Sequence, residues 1–220
     1  MKNPRQFFVF VAIMIIISIF FIVKEQSIKN KSSKDYFLPS SKELNEKGEF
    51  IEHLDSATLL YSNFKYNFSV DFPDNWLLDK GVSEHTIIRG SQKDSAISFA
   101  VNVITLNEPT FVEKNIWDLW DIKELSMEEN NKEMLMKIFQ TSLLKYSSRR
   151  IHISNKKAIE TSFSYIVKDV DFEFEIQCFF YSIYQSPYTY TIGLQVPYDF
   201  YIETPDKYKY FINNFVLFTK

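Results

Sequence analysis

The sequence predicts an α+β domain: a mainly antiparallel, twisted sheet of about six to seven strands, flanked by helices and preceded by one N-terminal transmembrane helix. Three observations predict this class. A long apolar run lies near the N-terminus, several segments alternate apolar and polar residues, and two segments carry helix-capping signals. Successive strands joined by short turns favour antiparallel pairing, and separate helical blocks favour cover on one or both faces of the sheet.

The apolar run spans residues 7–23, and only the hydroxyl of Ser18 interrupts it. A membrane-spanning helix needs roughly 20 apolar residues, within a range of about 17 to 25. A cleaved signal peptide has a shorter apolar core and a small-residue cleavage site, but no A-x-A-like pattern flanks Lys24. We therefore predict that residues 1–24 form a retained membrane anchor or an uncleaved signal.

The charges beside this run predict its orientation. Lys2 and Arg5 precede it, whereas four lysines lie between residues 24 and 34, and positive residues near a span favour the cytoplasmic side. The numbers of positive charges on the two sides of the run are therefore too similar to decide the orientation. The layout of a short basic leader before an apolar run favours a cytoplasmic N-terminus and an extracytoplasmic C-terminal domain, so we predict a single-pass membrane protein.

Composition limits the possible functions. The net charge of −3 gives no strong field toward nucleic acid, so no nucleic-acid partner is expected. The four glycines are isolated, which leaves no glycine-rich phosphate loop, and no cofactor is predicted. The single cysteine, Cys178, excludes an intramolecular disulfide and a cysteine-based zinc cage. We expect it to be a small buried side chain, with a reactive thiol or an intermolecular disulfide as the alternative.

The chain divides into three parts. After the anchor, residues 25–60 are lysine-rich and then contain the breaker cluster at 39–41, which predicts a polar stalk. Residues 61–220 are sufficient for one domain with its own core. Aromatic residues make up 17% of the whole chain, which suits a sheet with large side chains packed on it.

Alternation with a period of two predicts the strands, and a helical period predicts the helices. Thr110 with Glu113, and Ser126 with Glu129, have the spacing of capping boxes and place helices at 111–123 and 127–146. A third helical pattern covers 199–213, with Pro205 near a helix start. The predicted strands cover residues 64–72, 86–89, 96–106, 151–154, 158–167, 172–184, 188–196 and 215–218.

Two stretches resemble the PsbP-like family. Residues 66–76 (YNFSVDFPDNW) are similar to the family's opening strand with its proline and tryptophan. Residues from 155 onward follow its order of three strands, a closing helix near 208–213 and a terminal apolar strand. The family includes photosystem II oxygen-evolving accessory proteins, a Ran-binding nuclear import factor and bacterial envelope proteins. The resemblance implies an α/β/α sandwich and an accessory or binding role, and no residue here matches a family catalytic site.

Trp117 and Trp120 are the candidate partner-binding residues. They lie three positions apart and would share one side of the predicted helix. Such a pair is either a core stripe packed on the sheet or an exposed aromatic ridge that binds a partner, because tryptophan is enriched at binding hot spots.

Asp169, Asp171, Glu173 and Glu175 are the candidate metal ligands. They alternate with apolar residues, so all four carboxylates would project from one strand face about 7 Å apart. Ca²⁺ needs several oxygens within about 2.6 Å, so a straight row requires help from a loop. The alternative is a solvated strand face that discourages aggregation.

The remaining polar groups form no local catalytic motif. His53, His85 and His152 do not lie at metal-binding spacing, and neither G-x-S-x-G nor H-E-x-x-H is present. Arg149 and Arg150, together with nearby Lys145, form a small basic cluster that is expected to face solvent or to bind an anionic ligand.

These observations lead to a functional hypothesis. The chain is predicted to be a membrane-anchored, non-catalytic envelope accessory protein that binds a protein partner or supports an assembly. One alternative is the binding or carriage of a small apolar ligand between the sheet and helix 127–146. A hydrolytic enzyme with a polar cleft at His85 or His152 is a third hypothesis.

Overall fold

The structure is a computed structural model that describes residues 43–44, 50–55, 57–74, 76–80, 83–92, 95–105, 115–121, 127–139, 142–168 and 173–218. The predicted anchor at residues 7–23 lies outside these ranges. No helix in the described ranges is long and apolar enough to cross a membrane.

Strands dominate the described part of the chain, and helices occur in two blocks. The strands are β1 (Glu43–Leu44), β2 (Phe50–Asp55), β3 (Leu60–Asn63), β4 (Phe68–Asp71), β5 (Trp76–Asp79), β6 (Thr86–Gln92), β7 (Ser98–Thr105), β8 (Leu144–Ile153), β9 (Lys156–Lys168), β10 (Glu173–Gln185), β11 (Tyr188–Pro197) and β12 (Phe215–Leu217). The helices are α1 (Ile116–Trp120), α2 (Met127–Phe139), α3 (Tyr198–Glu203), a 3₁₀ helix (Pro205–Lys209) and α4 (Tyr210–Asn213).

The strands form two antiparallel sheets, where the sequence predicts one. The larger sheet has seven strands in the order β5-β6-β7-β11-β10-β9-β8, and the smaller has five in the order β1-β2-β3-β4-β12. The antiparallel prediction is confirmed, because every pairing in both sheets is antiparallel. The single-sheet prediction is wrong because alternation identifies a strand but not the neighbour with which it pairs.

The main core lies between the two sheets. Phe99, Val101 and Val103 of β7 belong to it, whereas the residues between them point to the opposite face. Phe68 of the smaller sheet contacts Tyr190 of the larger one edge to face, with 6.3 Å between ring centroids. We call the face of the larger sheet that meets this core the inner face, and the opposite face the outer face.

The third helical block also packs on the inner face. Phe211 of α4 stacks on Phe99 at 4.5 Å between centroids, and Trp76 meets the same ring of Phe211 at 4.6 Å. The predicted continuous helix at 199–213 is interrupted. α3 ends before Thr204, and a 3₁₀ segment starts at Pro205, because proline lacks the N–H that would continue the helical ladder.

Helix α2 covers part of the outer face. Leu135 is buried there with Phe163 and Cys178, and Phe139 packs against the ring of Tyr165 at 4.5 Å. The predicted helix at 127–146 is too long at its C-terminal end. From Leu144 onward the chain pairs with β9, so tertiary strand pairing overrides the helical period of the sequence there.

The smaller sheet begins within the stretch for which the sequence predicts a stalk. β1 and β2 lie in residues 43–55, and Leu54 is a core residue. Glu52 is buried, accepts a hydrogen bond from the Tyr61 hydroxyl at 2.6 Å and pairs with Lys80 at 2.5 Å. A buried charged residue breaks the apolar pattern that would have indicated β2, so the predicted stalk at 25–60 extends too far.

The strand predicted over residues 64–72 is a hairpin turn followed by a strand. β3 ends at Asn63, whose side-chain oxygen accepts the N–H of Tyr66 at 2.9 Å. Asn67 has a φ of 57°, a left-handed conformation that asparagine tolerates. The alternation therefore continues through the turn, and only Phe68–Asp71 pairs as β4.

Tyr210 links α4 to β4, which predicts a pH effect. Its hydroxyl donates to Asp71 Oδ2 at 2.7 Å, and burial together with this bond raises the pKa of Tyr210 to about 12. The neutral phenol is therefore favoured by folding. Its contribution is complete below the unfolded pKa of about 10 and is lost as the pH rises toward about 12.

We expect the stability difference between the wild type and Tyr210→Phe to shrink across this alkaline interval. Denaturant unfolding of both proteins at a series of pH values measures it. A stability difference that stays constant from neutral pH to about pH 12 would contradict the predicted coupling.

Candidate protein-binding surface

Helix α1 is fixed at its start by Asn115. The Asn115 side-chain oxygen accepts the N–H groups of Trp117 at 3.0 Å and Asp118 at 3.3 Å, and Asp118 accepts the N–H of Asn115 in return. This reciprocal arrangement is a capping box. The helix predicted at 111–123 therefore begins at Ile116 in the structure, and the predicted cap, Thr110, lies outside the described residues.

The faces of α1 separate its apolar residues into two pairs. Ile116 and Leu119 are buried, and α1 lies against β9 and β10. Trp117 and Trp120 are half-buried on the flank of the helix. The core stripe is thus the isoleucine–leucine pair, and the two tryptophans border solvent.

Trp117 is held in a defined orientation by the end of the β8–β9 hairpin. Its indole N–H donates to the carbonyl oxygen of Ala158 at 2.8 Å. The ring of His152 meets the indole nearly edge to face, at 4.9 Å between centroids. A ring fixed in this way loses little conformational freedom when it binds a partner.

Cations surround the same ring. Lys157 Nζ lies 5.0 Å from the ring centroid of Trp117, and the guanidinium carbon of Arg150 lies at 5.8 Å. Both distances fall within the range of a cation–π interaction. Arg150 also forms an ion pair with Asp121 at the end of α1. We call Trp117, Arg150, His152 and Lys157 the Trp117 surface.

Strand pairing places two of these residues opposite each other. His152 of β8 is the direct partner of Lys157 of β9, and the described contacts give Lys157 no carboxylate neighbour. Two basic side chains at one pair position repel each other whenever both are charged. An acidic group from a partner would relieve this repulsion.

β8 is an edge strand of the larger sheet, which keeps the Trp117 surface accessible. It pairs with β9 on one side only, and most of its residues between 144 and 152 are exposed. A register shift between Leu144 and Ser147 interrupts its pairing, and Lys145 there has a φ of 52°. Charged side chains and irregular pairing are common protections of such an edge.

The fold is similar to that of a solved structure. Cyanobacterial PsbP (CyanoP) from Synechocystis sp. PCC 6803 superposes with a TM-score of 0.55 at 12% sequence identity, over 72% of this chain and 91% of that chain. The domain has a PsbP-like fold. This confirms, at the level of the fold, the resemblance to the PsbP-like family.

Other structures are similar at a lower level. The Ran-binding protein Mog1p of Saccharomyces cerevisiae gives a TM-score of 0.42 at 9% identity, over 71% of this chain and 93% of that chain. LpqN of Mycobacterium tuberculosis, described as involved in cell envelope biogenesis, gives 0.42 at 10% identity over 69% and 83%. No protein-family model and no curated protein sequence matches the chain.

The predicted metal site is only partly visible in the PsbP-like domain. Asp169 and Asp171 lie outside the described residues. Glu173 pairs with Lys168 at 3.1 Å, and Glu175 pairs with Lys145 at 2.9 Å. Within the described ranges, no group of three or more histidine, cysteine or acidic residues is arranged to hold a metal ion. The four-carboxylate site therefore stays a prediction.

Glu175 forms contacts within the domain. Burial disfavours its charged form, but hydrogen bonds from the Ser164 hydroxyl at 2.5 Å and from Lys145 outweigh that effect and lower its pKa. Lys145 also lies 3.4 Å from the ring centroid of Tyr198. Glu175 thus joins β10 to the bulged end of β8 and to α3.

The predicted basic cluster is split between two faces. Arg149 makes two hydrogen bonds to Glu160 at 2.6 and 3.0 Å, and this pairing raises its pKa. Arg150, the next residue in the strand, points to the other face and reaches Trp117. Adjacent positions in the sequence therefore serve different surfaces.

The histidines and the cysteine lie far apart in the fold. His53 is exposed on β2, His85 is half-buried beside Glu84 just before β6, and His152 lies at Trp117. Cys178 is a free, fully buried thiol under α2, and burial raises its pKa. The prediction of a small buried side chain at Cys178 is confirmed, and a thiol of this kind is a poor nucleophile.

The space required by the apolar-ligand alternative is occupied by side chains. Between the larger sheet and α2, the ring of Phe139 lies 4.5 Å from Tyr165 and 5.4 Å from Phe163, measured between centroids. Phe163 in turn packs against Phe180 at 5.5 Å. These contacts favour a structural role for this interface.

Sequence reasoning identified the tryptophans but missed the cations around one of them. The period-two alternation of β8 puts Arg150 and His152 on one face, which the sequence alone could have indicated. The position of Lys157 depends on the register between β8 and β9, and that of Arg150 over the indole depends on where α1 docks. Both are long-range properties.

Proposed function

We propose that this chain is a membrane-anchored, non-catalytic envelope accessory protein whose PsbP-like domain binds a protein partner through the Trp117 surface. The observation that carries the proposal is the arrangement around Trp117. A half-buried indole is fixed by a hydrogen bond to Ala158 and surrounded by Arg150, His152 and Lys157 on an accessible sheet edge.

The chemistry of this surface is that of a binding hot spot. Tryptophan and arginine are the residues that most often dominate interface energies, particularly where a ring is already packed on one side. The surrounding cations favour a partner segment that carries carboxylates, since charge complementarity speeds association and selects partners. The PsbP-like resemblance supports an accessory role as well.

The proposed anchor at residues 7–23 gives the domain its location. An anchored domain meets a membrane-bound partner at a high effective concentration, which makes a weak interface sufficient. This part of the proposal rests on the length and composition of the apolar run.

Deleting residues 1–24 is expected to leave a folded domain and to abolish partner binding in cells. The buried residues of the main core that the structure describes start at Leu54, well after this segment, whereas the proposed membrane location depends on residues 7–23. Crosslinking in cells followed by isolation of the tagged chain measures the yield of the partner adduct. A matched control replaces residues 1–24 with an unrelated transmembrane helix and should restore the adduct. Full adduct yield from the deleted chain would refute the anchoring proposal.

The partner itself is tested by crosslinking in native membranes with the full chain. Wild type and Trp117→Ala are compared after circular dichroism has shown that both are folded. A specific partner that is lost only in the variant supports the proposal. A partner bound equally by both proteins would place the interface elsewhere.

A further inference from the structure

Strand β8 leaves a row of backbone hydrogen-bonding groups open at the edge of the larger sheet. It pairs with β9 on one side, and within the described ranges no strand pairs with it on the other. From Ser147 to Ile153 the register with β9 is regular, so the interruption nearer Leu144 does not reach this part. Residues 147–152 are exposed or half-buried, which keeps this edge open to solvent.

The hairpin turn determines which residues of β8 face the open edge. Ile153 and Lys156 flank a two-residue loop, Ser154 and Asn155, and both loop residues have a positive φ, 50° and 59°. This is a type I′ turn, in which the flanking residues are hydrogen-bonded to each other. Hydrogen-bonded and other pairs alternate along an antiparallel ladder, so every second residue of β8 directs its N–H and C=O groups away from β9. These residues are Ser148, Arg150 and His152.

The same three residues place their side chains on the outer face, beside the Trp117 surface. Arg150 and His152 belong to that surface, and alternate residues of a strand point the same way, so Ser148 shares their face. Ile151, which lies between Arg150 and His152, packs against the main core on the inner face. A strand added at this edge would therefore present alternate side chains to the Trp117 surface and to Ile151.

The charges of this edge favour an acidic strand. Residues 144–157 contain five lysine or arginine residues and one histidine, but no aspartate or glutamate. On the outer face Arg150 is paired with Asp121, whereas the described contacts give Lys157 an aromatic ring and no carboxylate, so a net positive charge remains. Two copies of β8 side by side would bring like charges together, which disfavours self-pairing. Carboxylates on an added strand would be attracted instead.

We infer that an extended acidic segment of the partner docks on β8 as an additional antiparallel strand of the larger sheet. Its acidic residues alternate with apolar ones, so that the carboxylates lie beside the Trp117 surface and the apolar side chains lie beside Ile151. In this mode of recognition main-chain hydrogen bonds give affinity, and the alternate side chains give specificity. The inference rests on the proposed partner binding and specifies the form of the partner.

Amide hydrogen exchange of the full chain in detergent, read at single residues by NMR, tests the strand addition. The probe is the peptide (Val-Glu)4, which alternates apolar and acidic residues. At about ten times its dissociation constant, exchange at Ser148, Arg150 and His152 should slow about 10-fold, because their amides are then free only in the unbound chain. Exchange at Arg149 and Ile151, whose amides pair with β9, should not change. No slowing up to the solubility limit of the peptide, or the same slowing at Arg149 and Ile151, would refute the inference.

Two N-methylated forms of this peptide are the matched controls. In the antiparallel arrangement the glutamates lie opposite Arg150 and His152 and exchange main-chain hydrogen bonds with them, whereas the valine N–H groups point away from β8. Methylation of the glutamate nitrogens should abolish the slowing, and methylation of the valine nitrogens should preserve it. Equal slowing by both forms would indicate attraction by charge alone and would overturn the inference.

The combined results separate this inference from the proposed function. Loss of the natural partner in Trp117→Ala, together with no slowing by (Val-Glu)4, would keep the Trp117 surface as the interface and refute strand addition. Slowing at the β8 edge, together with unchanged partner binding by Trp117→Ala, would remove Trp117 from the interface and retain strand addition.

Discussion

Replacing Phe99 with alanine is expected to reduce the free energy of unfolding by about 3–5 kcal/mol, the range for deleting a fully buried aromatic ring. Phe99 has no exposed surface and lies where three parts of the structure meet. Its ring stacks on Phe211 of α4 at 4.5 Å and meets Phe72 edge to face at 5.6 Å. The substitution therefore opens a cavity that neither sheet can close by a small movement.

Denaturant unfolding of the purified protein measures this loss. Phe200→Ala is the matched control, because Phe200 is also an aromatic residue but is 49% exposed on α3. Its substitution should change the unfolding free energy by no more than about 0.5 kcal/mol. If the two substitutions had equal effects, Phe99 would not occupy the centre of the core.

Replacing Trp117 with alanine is expected to weaken partner binding at least about 30-fold, which corresponds to a hot-spot loss of about 2 kcal/mol. The indole supplies the contact area, and Arg150 and Lys157 are positioned by it. Trp117→Phe retains a ring but removes the donor to Ala158, so it should give an intermediate loss. Crosslinking identifies the partner. Titrating the purified, uncrosslinked partner against each variant then measures the affinities.

A pair of lysines separates the effect of the site from a general effect of charge. Lys157 and Lys65 each lie 5.0 Å from an aromatic centroid, that of Trp117 and that of Tyr66. Lys157→Ala should weaken binding, whereas Lys65→Ala, in the β3–β4 turn, should leave it unchanged. Equal losses would indicate a nonspecific electrostatic attraction to the domain.

Several elements of the fold could be predicted because their signals are local. The alternation of residues 188–196 matches β11 within one residue, and 158–167 lies within β9. The errors share a cause. β2 contains buried Glu52, β8 follows a helical period, and residues 64–67 alternate through a turn. In each case a long-range contact decides the local conformation, and a single sequence does not encode that contact as a pattern.

The candidate sites differ in how far the sequence reveals them. Tryptophan is rare and conspicuous, so Trp117 and Trp120 could be selected by residue type and spacing alone. The open edge of β8 leaves no such signal, because the sequence predicts a helix over part of this strand. Which strand lies at an edge, and which of its backbone groups face outward, depends on sheet order and on the register with β9.

The pairing of β12 with β4 has a consequence for how the protein is made. Phe215 packs on Phe68 with 5.5 Å between their rings, although the two residues are about 150 positions apart in the chain. The core between the sheets therefore stays open during synthesis until residues 215–217 have left the ribosome. If the domain also has the proposed extracytoplasmic location, it would complete folding only after residues 215–217 have crossed the membrane, and its aromatic-rich chain would be exposed to aggregation until then.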